Sequence, residues 1–290
     1  MTPAPAPRTV SVTALGGGVE FEVEDSRLRE VVAELWRDLR RSETSPEPVV
    51  GHRARVDGTG PWLLTTDYSM ATAPANGSPP LAQPDEPRAD ANTFAEAVSL
   101  VCSAINVPLA TRGPYLVAHA AVVARAGTTL AIPGASGAGK TTLTVALLQR
   151  GWRYVSDEAL AVDWNTGVLQ PYPRPLGVSD WSAAMLDVVG GVRGDREWFL
   201  RPAELGAEVA VGAAGITHIV IVDRDRSAPT LQSAHRMDAL EILLRRSFNY
   251  YHDPACALQT FAGVVRRAKV QRLCYGDPQL AASLLTDSFG

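Results

Sequence analysis

Residues 129–151 read TLAIPGASGAGKTTLTVALLQRG, and this stretch decides the fold. TLAIP has the apolar character of a buried strand, and KTTLTVALLQRG has the periodicity of a helix stopped by Gly151. Between them GASGAGKTT (134–142) fits G-x-x-x-x-G-K-[ST], with Gly134, Gly139, Lys140 and Thr141 in the fixed places. Glycines, Gly137 included, admit backbone angles closed to other residues and let main-chain N–H groups close around phosphate oxygens. Gly134, Ala135, Ser136, Gly137, Ala138, Gly139, Lys140, Thr141 and Thr142 are thus the expected nucleotide-binding residues, at a helix N-terminus that favours an anion. Lys140 would place its charge at the β- and γ-phosphates, and the Thr141 hydroxyl would ligate Mg²⁺.

Around this stretch the strand and helix signals alternate. YLVAHAAVVA (115–124) reads as a strand and Gly127 as a turn. WRYVSDEALAVDW (152–164) supplies two strand-like runs with Asp157 and Glu158 between them, and ITHIVIVDRD (216–225) a buried strand. MDALEILLRRSF (237–248) and ACALQTFAGVVRRA (255–268) read as helices, RLCYG (272–276) as a strand, and DPQLAASLLTDSF (277–289) as the closing helix. TFAEAVSLVCSAINVPLA (93–110) reads as a helix capped by Asn92 or Thr93.

Before it, SVTALGGGVEFEVE (11–24) alternates like a hairpin around Gly16–Gly18, Ser26 is placed to cap a helix, and VVGHRARV (49–56) and PWLLTTD (61–67) form a second strand pair. The Pro- and Ala-rich residues 1–8 are expected to fray, and residues 71–92 to form a linker. The expected organisation is a small α+β module over 1–92 and an α/β domain over 93–290.

Composition narrows the function. With a net charge of −4 the 290-residue chain has no global basic field, so a nucleic-acid partner is not expected. Lys140 and Lys269 are the only lysines among 27 basic residues, so a lysine inside the loop stands out against an arginine background. Cys102, Cys256 and Cys274 have no metal-ligand spacing and suit a reduced, cytoplasmic chain. The opening MTPAPAPRTV lacks a signal-peptide core, and no run of about 18 apolar residues marks a membrane span.

The reaction must come from other residues. Asp157 and Glu158 lie 17 and 18 positions after Lys140, and a carboxylate beside a γ-phosphate can take a hydroxyl proton or hold Mg²⁺. A solvated turn is the bland alternative for this pair. His119 is either a catalytic partner or a satisfied strand histidine, and Arg174 either clamps phosphate or is a loop arginine. Arg201, Arg245 and Arg246 are weaker bids for the same clamp. Asp223 ends an apolar strand and is the rival metal ligand. In SFNY (247–250), Phe248 suits the core and Asn249 a cap.

HAAVVARAGTTLAIPGASGAGKTTL (119–143), RGWRYVSDEALAVD (150–163), PYPRP (171–175), SFNY (247–250) and RLCYGD (272–277) together resemble the HPr kinase/phosphorylase-like kinases. They are most similar to the HPr-related kinases of ribosomal peptide biosynthesis, the lasso peptide kinases among them, and the resemblance spans about residues 93–290. It implies a phosphate-loop kinase domain related to phosphoenolpyruvate carboxykinase, using ATP and Mg²⁺. It further implies Asp157 as general base, His119 near the reacting phosphate, Glu158 as the acidic neighbour beside the metal, and a serine hydroxyl as acceptor. The family's neighbour is usually aspartate, and its E-I-R-G-L-G signature is missing here, which separates this chain from HPr as substrate. The expected acceptor is a peptide or small protein. Free serine or another small hydroxyl metabolite is the first alternative, and a nucleotide-binding regulator the second. The N-terminal module suits acceptor recognition or a homo-oligomer contact.

Overall fold

The computed structural model describes residues 9–39, 50–67, 88–135, 137–210, 215–225 and 228–289. Residues 1–8, most of the expected linker (71–87) and Ser136 of the loop lie outside them. The chain divides into two compact units, Met1–Pro114 with Val192–Phe199, and Tyr115–Gly191 with Leu200–Gly290.

In the first unit β1 (Thr9–Ala14) and β2 (Gly17–Val23) form an antiparallel hairpin. Its two-residue turn holds Leu15 and Gly16 at φ of 51° and 70°, the left-handed region such turns require. β2 buries Val19, Phe21 and Val23 and turns Glu20 and Glu22 outward. α1 (Ser26–Leu35) carries the chain across to β3 (Val50–Asp57), which pairs parallel to β2. Asp25, not Ser26, caps α1. One of its carboxylate oxygens accepts from the amides of Arg27 and Leu28 at 2.8 and 3.1 Å, and the other accepts from the Trp62 indole at 3.0 Å.

β4 (Trp62–Asp67) and β5 (Arg88–Ala91) complete the sheet in the order β1-β2-β3-β4-β5. β5 corrects the linker expectation: residues 88–91 pair antiparallel with Trp62–Thr65, and Ala91 is fully buried. α2 (Phe94–Arg112) begins with a capping box, since Thr93 Oγ1 accepts from the Glu96 amide and Glu96 accepts from the Thr93 amide. This helix is long and apolar enough to cross a membrane by length and composition alone, with half of its best window buried in the protein. It buries Val98, Val101, Ile105 and Leu109 and packs on α1, β2 and β5, so the division falls after Pro114 rather than at residue 92.

The second unit holds a mixed α/β sandwich. β6 (Tyr115–Ala118) and β7 (Ala120–Arg125) replace the single strand expected over 115–124, with a bend at His119. β7 turns through Ala126–Gly127 into β8 (Thr128–Pro133), and α3 (Lys140–Leu148) follows the glycine-rich loop. β9 (Arg153–Ser156), β10 (Leu160–Asp163), β11 (Leu169–Gln170), β12 (Leu176–Ser179) and α4 (Asp180–Met185) come next. β13 (Val192–Arg193) and most of β14 (Glu197–Leu200) make a hairpin assigned to the first unit.

The chain then supplies β15 (His218–Arg224), β16 (Thr230–Ser233), α5 (Arg236–Arg245), α6 (Pro254–Arg267), β17 (Lys269–Tyr275) and α7 (Pro278–Phe289). The main sheet runs β16-β17-β15-β8-β7-β9, with β15 parallel to both β8 and β17. Ile219–Val222 of β15 are all buried, as in a strand covered on both faces. Ile219 and Ile221 join Leu243, Phe261 and Val264 of the paired helices α5 and α6 in one apolar cluster. α3 and α7 pack together and lie against β7 and β17.

Two strands of this sheet continue into a smaller one. β7 pairs with β9 in the main sheet, and β6 pairs with β10 in the sheet β11-β10-β6. The pairs Val122↔Ser156 and Ala118↔Leu160 bracket the joint where both chains change sheet. His119 occupies this joint on one side, and Asp157 and Glu158 on the other.

Candidate functional site

The loop leaves β8 and enters α3 through Gly137 and Gly139, at φ of 77° and 86°. Gly139 is constrained twice: besides its left-handed backbone, an added Cβ would stand 2.7 Å from the Tyr275 hydroxyl and 3.0 Å from the Arg224 guanidinium. Gly139, at the cap position of α3, has no side chain to offer its first-turn N–H groups, which suits their use by an anion, as the motif requires. Lys140 is buried and folds back, its Nζ donating to the carbonyls of Gly134 and Ala135 at 3.1 and 2.9 Å. Burial lowers its pKa, with Asp157 and Glu158 acting in the opposite sense.

The Thr141 hydroxyl donates to Asp157 Oδ2 at 3.0 Å. This bond joins the first turn of α3 to the residue after β9, the two segments whose chemistry the sequence pairs. Asp157 is only 1% exposed, and its other oxygen, Oδ1, has no hydrogen-bond partner among the described residues. Burial, and then the charge of Glu158, push its carboxyl up to about 7 from the usual 3.8. A carboxyl poised there is suited to accept a proton near neutral pH.

Glu158 points elsewhere. Its carboxylate is ion-paired with Arg174, which is buried in the PYPRP segment. Burial works against the Arg174 charge, but Glu158 and then its other neighbours outweigh it and raise the pKa. The main chain here is fixed by the Tyr154 hydroxyl, which donates to the Arg174 carbonyl at 3.0 Å. Thr141 and Glu158, paired in sequence as metal ligands, are thus each engaged with a different partner, and Arg174 meets a carboxylate where a phosphate was expected.

His119 sits at the bend, not within a strand, with its ring edge-on to Phe248 at 5.8 Å and its amide donating to the Arg246 carbonyl at 2.8 Å. Burial and then Lys140 lower its pKa, whereas Glu158 opposes them. Arg246 acts electrostatically on both Lys140 and His119, while Arg245 is held by Glu241 at 2.9 Å. The Arg201 amide donates to Glu204 at 2.7 Å. Asp223 does not join the group: its carboxylate takes Arg272 at 2.5 Å, and Arg272 also holds Asp238 at 3.1 Å.

Three residues had no local signature. Asn249 is fully buried and stitches β6, accepting from the Val117 amide at 3.0 Å and donating to the Tyr115 carbonyl at 2.8 Å, a role in place of the expected cap. Tyr275 donates to the Gly139 carbonyl at 3.3 Å, and Arg224 lies against the same glycine. Tyr275 lies inside the RLCYGD segment (272–277), so that motif marked the residue without revealing its partner.

No protein-family model matches this sequence, and no curated protein matches it at a significant level. Among solved structures the chain is similar to the Hpr(Ser) kinase/phosphatase from Coxiella burnetii, at 14% identity and a TM-score of 0.32, over 59% of this chain and 95% of that one.

Proposed function

We propose that this protein is an ATP-dependent phosphotransferase that moves the γ-phosphoryl group to a serine or threonine hydroxyl of a peptide or small protein, as in ribosomal peptide tailoring. The observation that carries the reading is the 3.0 Å contact between Thr141 of the phosphate loop and the buried Asp157 carboxylate. The ordered motifs shared with the HPr-related kinases support the same assignment.

In this reading the α3 amides and the loop glycines bind the phosphates, and Lys140 exchanges its two carbonyl partners for β/γ oxygens. The acceptor oxygen bonds to the γ-phosphorus, the bond from that phosphorus to the β–γ bridging oxygen breaks, and ADP leaves. The hydroxyl proton passes to Asp157, whose Oδ1 has no other partner among the described residues. His119, kept neutral, orients the acceptor or the departing charge from the facing side of the joint.

Among the described residues no three His, Cys, Asp or Glu side chains cluster as a metal cage. That fits Mg²⁺ arriving with the nucleotide, because Mg²⁺ is commonly held through one or two side chains, waters and phosphate oxygens. Thr141, on giving up Asp157, and Glu158, on giving up Arg174, are the residues that would hold it, and when bound it neutralises charge on the phosphates.

The test is incubation of the protein with γ-labelled ATP and an extract of the producing cell. A labelled peptide or small protein, lost with Asp157→Asn, is the expected product. A labelled small metabolite would move the acceptor to the free-serine class. ATP binding with no labelled product would leave a nucleotide-binding regulator.

A further inference from the structure

Trp181 is 51% exposed on the short helix α4. Its neighbour Ser182 is buried and hydrogen-bonds Thr142 of the first turn of α3 at 2.7 Å, which pins α4 beside the loop. The Arg224 guanidinium lies 5.2 Å from the Trp181 ring centroid and 5.3 Å from the Tyr275 ring. Tyr275 and Arg224 both meet Gly139, the left-handed residue that opens α3. An aromatic–arginine–aromatic group is therefore gathered at the loop, with one indole left open to solvent.

Nothing in the chemistry above uses this group. The charges that act on Asp157 are those of Glu158, Arg174 and Lys140, whereas the Trp181–Arg224–Tyr275 group gathers on Gly139. A nucleotide lying in the loop with its γ-phosphate at Thr141 and Asp157 leads its sugar and base away from that carboxylate. A flat ring with a π-face meets at Trp181 a surface it can stack on, and a guanidinium already stacked there adds a second planar, cationic partner.

We propose that Trp181, backed by Arg224, is the stacking platform for the purine base of the nucleotide. This rests on the phosphate-loop reading above. It also supplies what that loop lacks, a contact that separates a nucleotide from bare polyphosphate.

The experiment is calorimetric titration of the full chain with two probes, Mg-ATP and Mg²⁺ with inorganic tripolyphosphate, for wild type, Trp181→Ala, Trp181→Phe and Lys140→Ala. Trp181→Ala is expected to weaken Mg-ATP binding by about 5- to 150-fold, the value of one base–aromatic stack, and to leave tripolyphosphate binding unchanged. Trp181→Phe keeps a π-face and is expected to stay within about threefold of wild type, and Lys140→Ala to lose both probes. Because Trp181 is half exposed, the variant is expected to fold, and an unchanged melting temperature checks this. Unaltered Mg-ATP affinity in Trp181→Ala, with Lys140→Ala still losing both probes, would overturn the platform and leave the loop reading intact. Equal loss of both probes in Trp181→Ala would also overturn it, by making Trp181 a support of the loop. A wild-type chain that binds neither probe would remove the loop reading itself.

Discussion

Asp157 and Asp223 both stand at the ends of apolar strands of the same sheet, yet the protein treats them in opposite ways. Asp157 comes after β9, is 1% exposed, keeps one oxygen unpaired and touches Thr141 of the loop. Asp223 lies near the end of β15 with its side chain 52% exposed, and Arg272 neutralises it at 2.5 Å. An aspartate after an apolar strand is thus only a position. Its chemistry is decided by whether water and a cation reach it, since a buried unpaired carboxylate is costly and is tolerated mainly where function uses it.

The sharpest way to break this contrast is Asp157→Asn. As the base for the hydroxyl proton, Asp157 is expected to be worth about 10²–10⁴ in kcat. Steady-state assays with the labelled acceptor measure it, and near-wild-type turnover would remove Asp157 from the chemistry. Because asparagine keeps the shape and can still accept from Thr141, a large loss would report on the proton rather than on the loop.

Removing the neighbouring pair is expected to act on stability. Arg174 is buried, so Arg174→Met removes the guanidinium that pairs with Glu158. Glu158 keeps 40% of its side chain exposed and can reach water, so the expected cost is about 1–3 kcal/mol, below that of breaking a fully buried pair. Urea denaturation reads this directly. A cost comparable with that of an exposed surface pair would show that Arg174 does little to hold the segment.

The pH dependence sharpens the comparison from another side. Asp157 has its carboxyl raised to about 7, so between about pH 4 and 7 the folded chain holds a proton that the unfolded chain has released. The stability from this group is therefore complete below about pH 4 and is lost as the pH rises through 7. Activity should run the other way, with kcat/KM falling about tenfold per pH unit below 7 as the base becomes protonated. Denaturation curves at pH 5 and pH 8 for wild type and Asp157→Asn test the first statement. Asp157→Asn should remove that part of the slope, and an unchanged slope would assign it to other groups.

Which features were readable beforehand follows from how local their causes are. The strand–loop–helix around 134–142 shows in sequence because glycine freedom and helix periodicity act within a few residues. The Thr93 cap is equally local, since its partner Glu96 is three residues away. The bend at His119 was hidden inside the apolar run YLVAHAAVVA because strand periodicity does not record a change of sheet. That change depends on β10 and on Asn249, which lies 132 positions from Val117. Likewise β5 and α2 join the first unit through pairing and burial against distant strands, and neither is signalled by the composition of residues 71–92. Adjacent in sequence, Asp157 and Glu158 were given separate roles, base and metal neighbour, only by the family resemblance. Their opposite fates depend on Thr141 and Arg174, each sixteen positions away.

The smallest expected effect is also the one that most directly tests the contrast. Asp223→Asn removes one charge from an exposed group in which Arg272 still holds Asp238 at 3.1 Å. Exposed pairs of this kind contribute about 0–1 kcal/mol, so stability should shift by less than that and kcat/KM should stay within about twofold. If Asp223→Asn instead lost a hundredfold in kcat and recovered part of it at high Mg²⁺, the metal would belong at the end of β15. Arg272 would then be a gate that the nucleotide displaces, and Glu158 would lose its part in holding the metal, leaving Asp157 its proton.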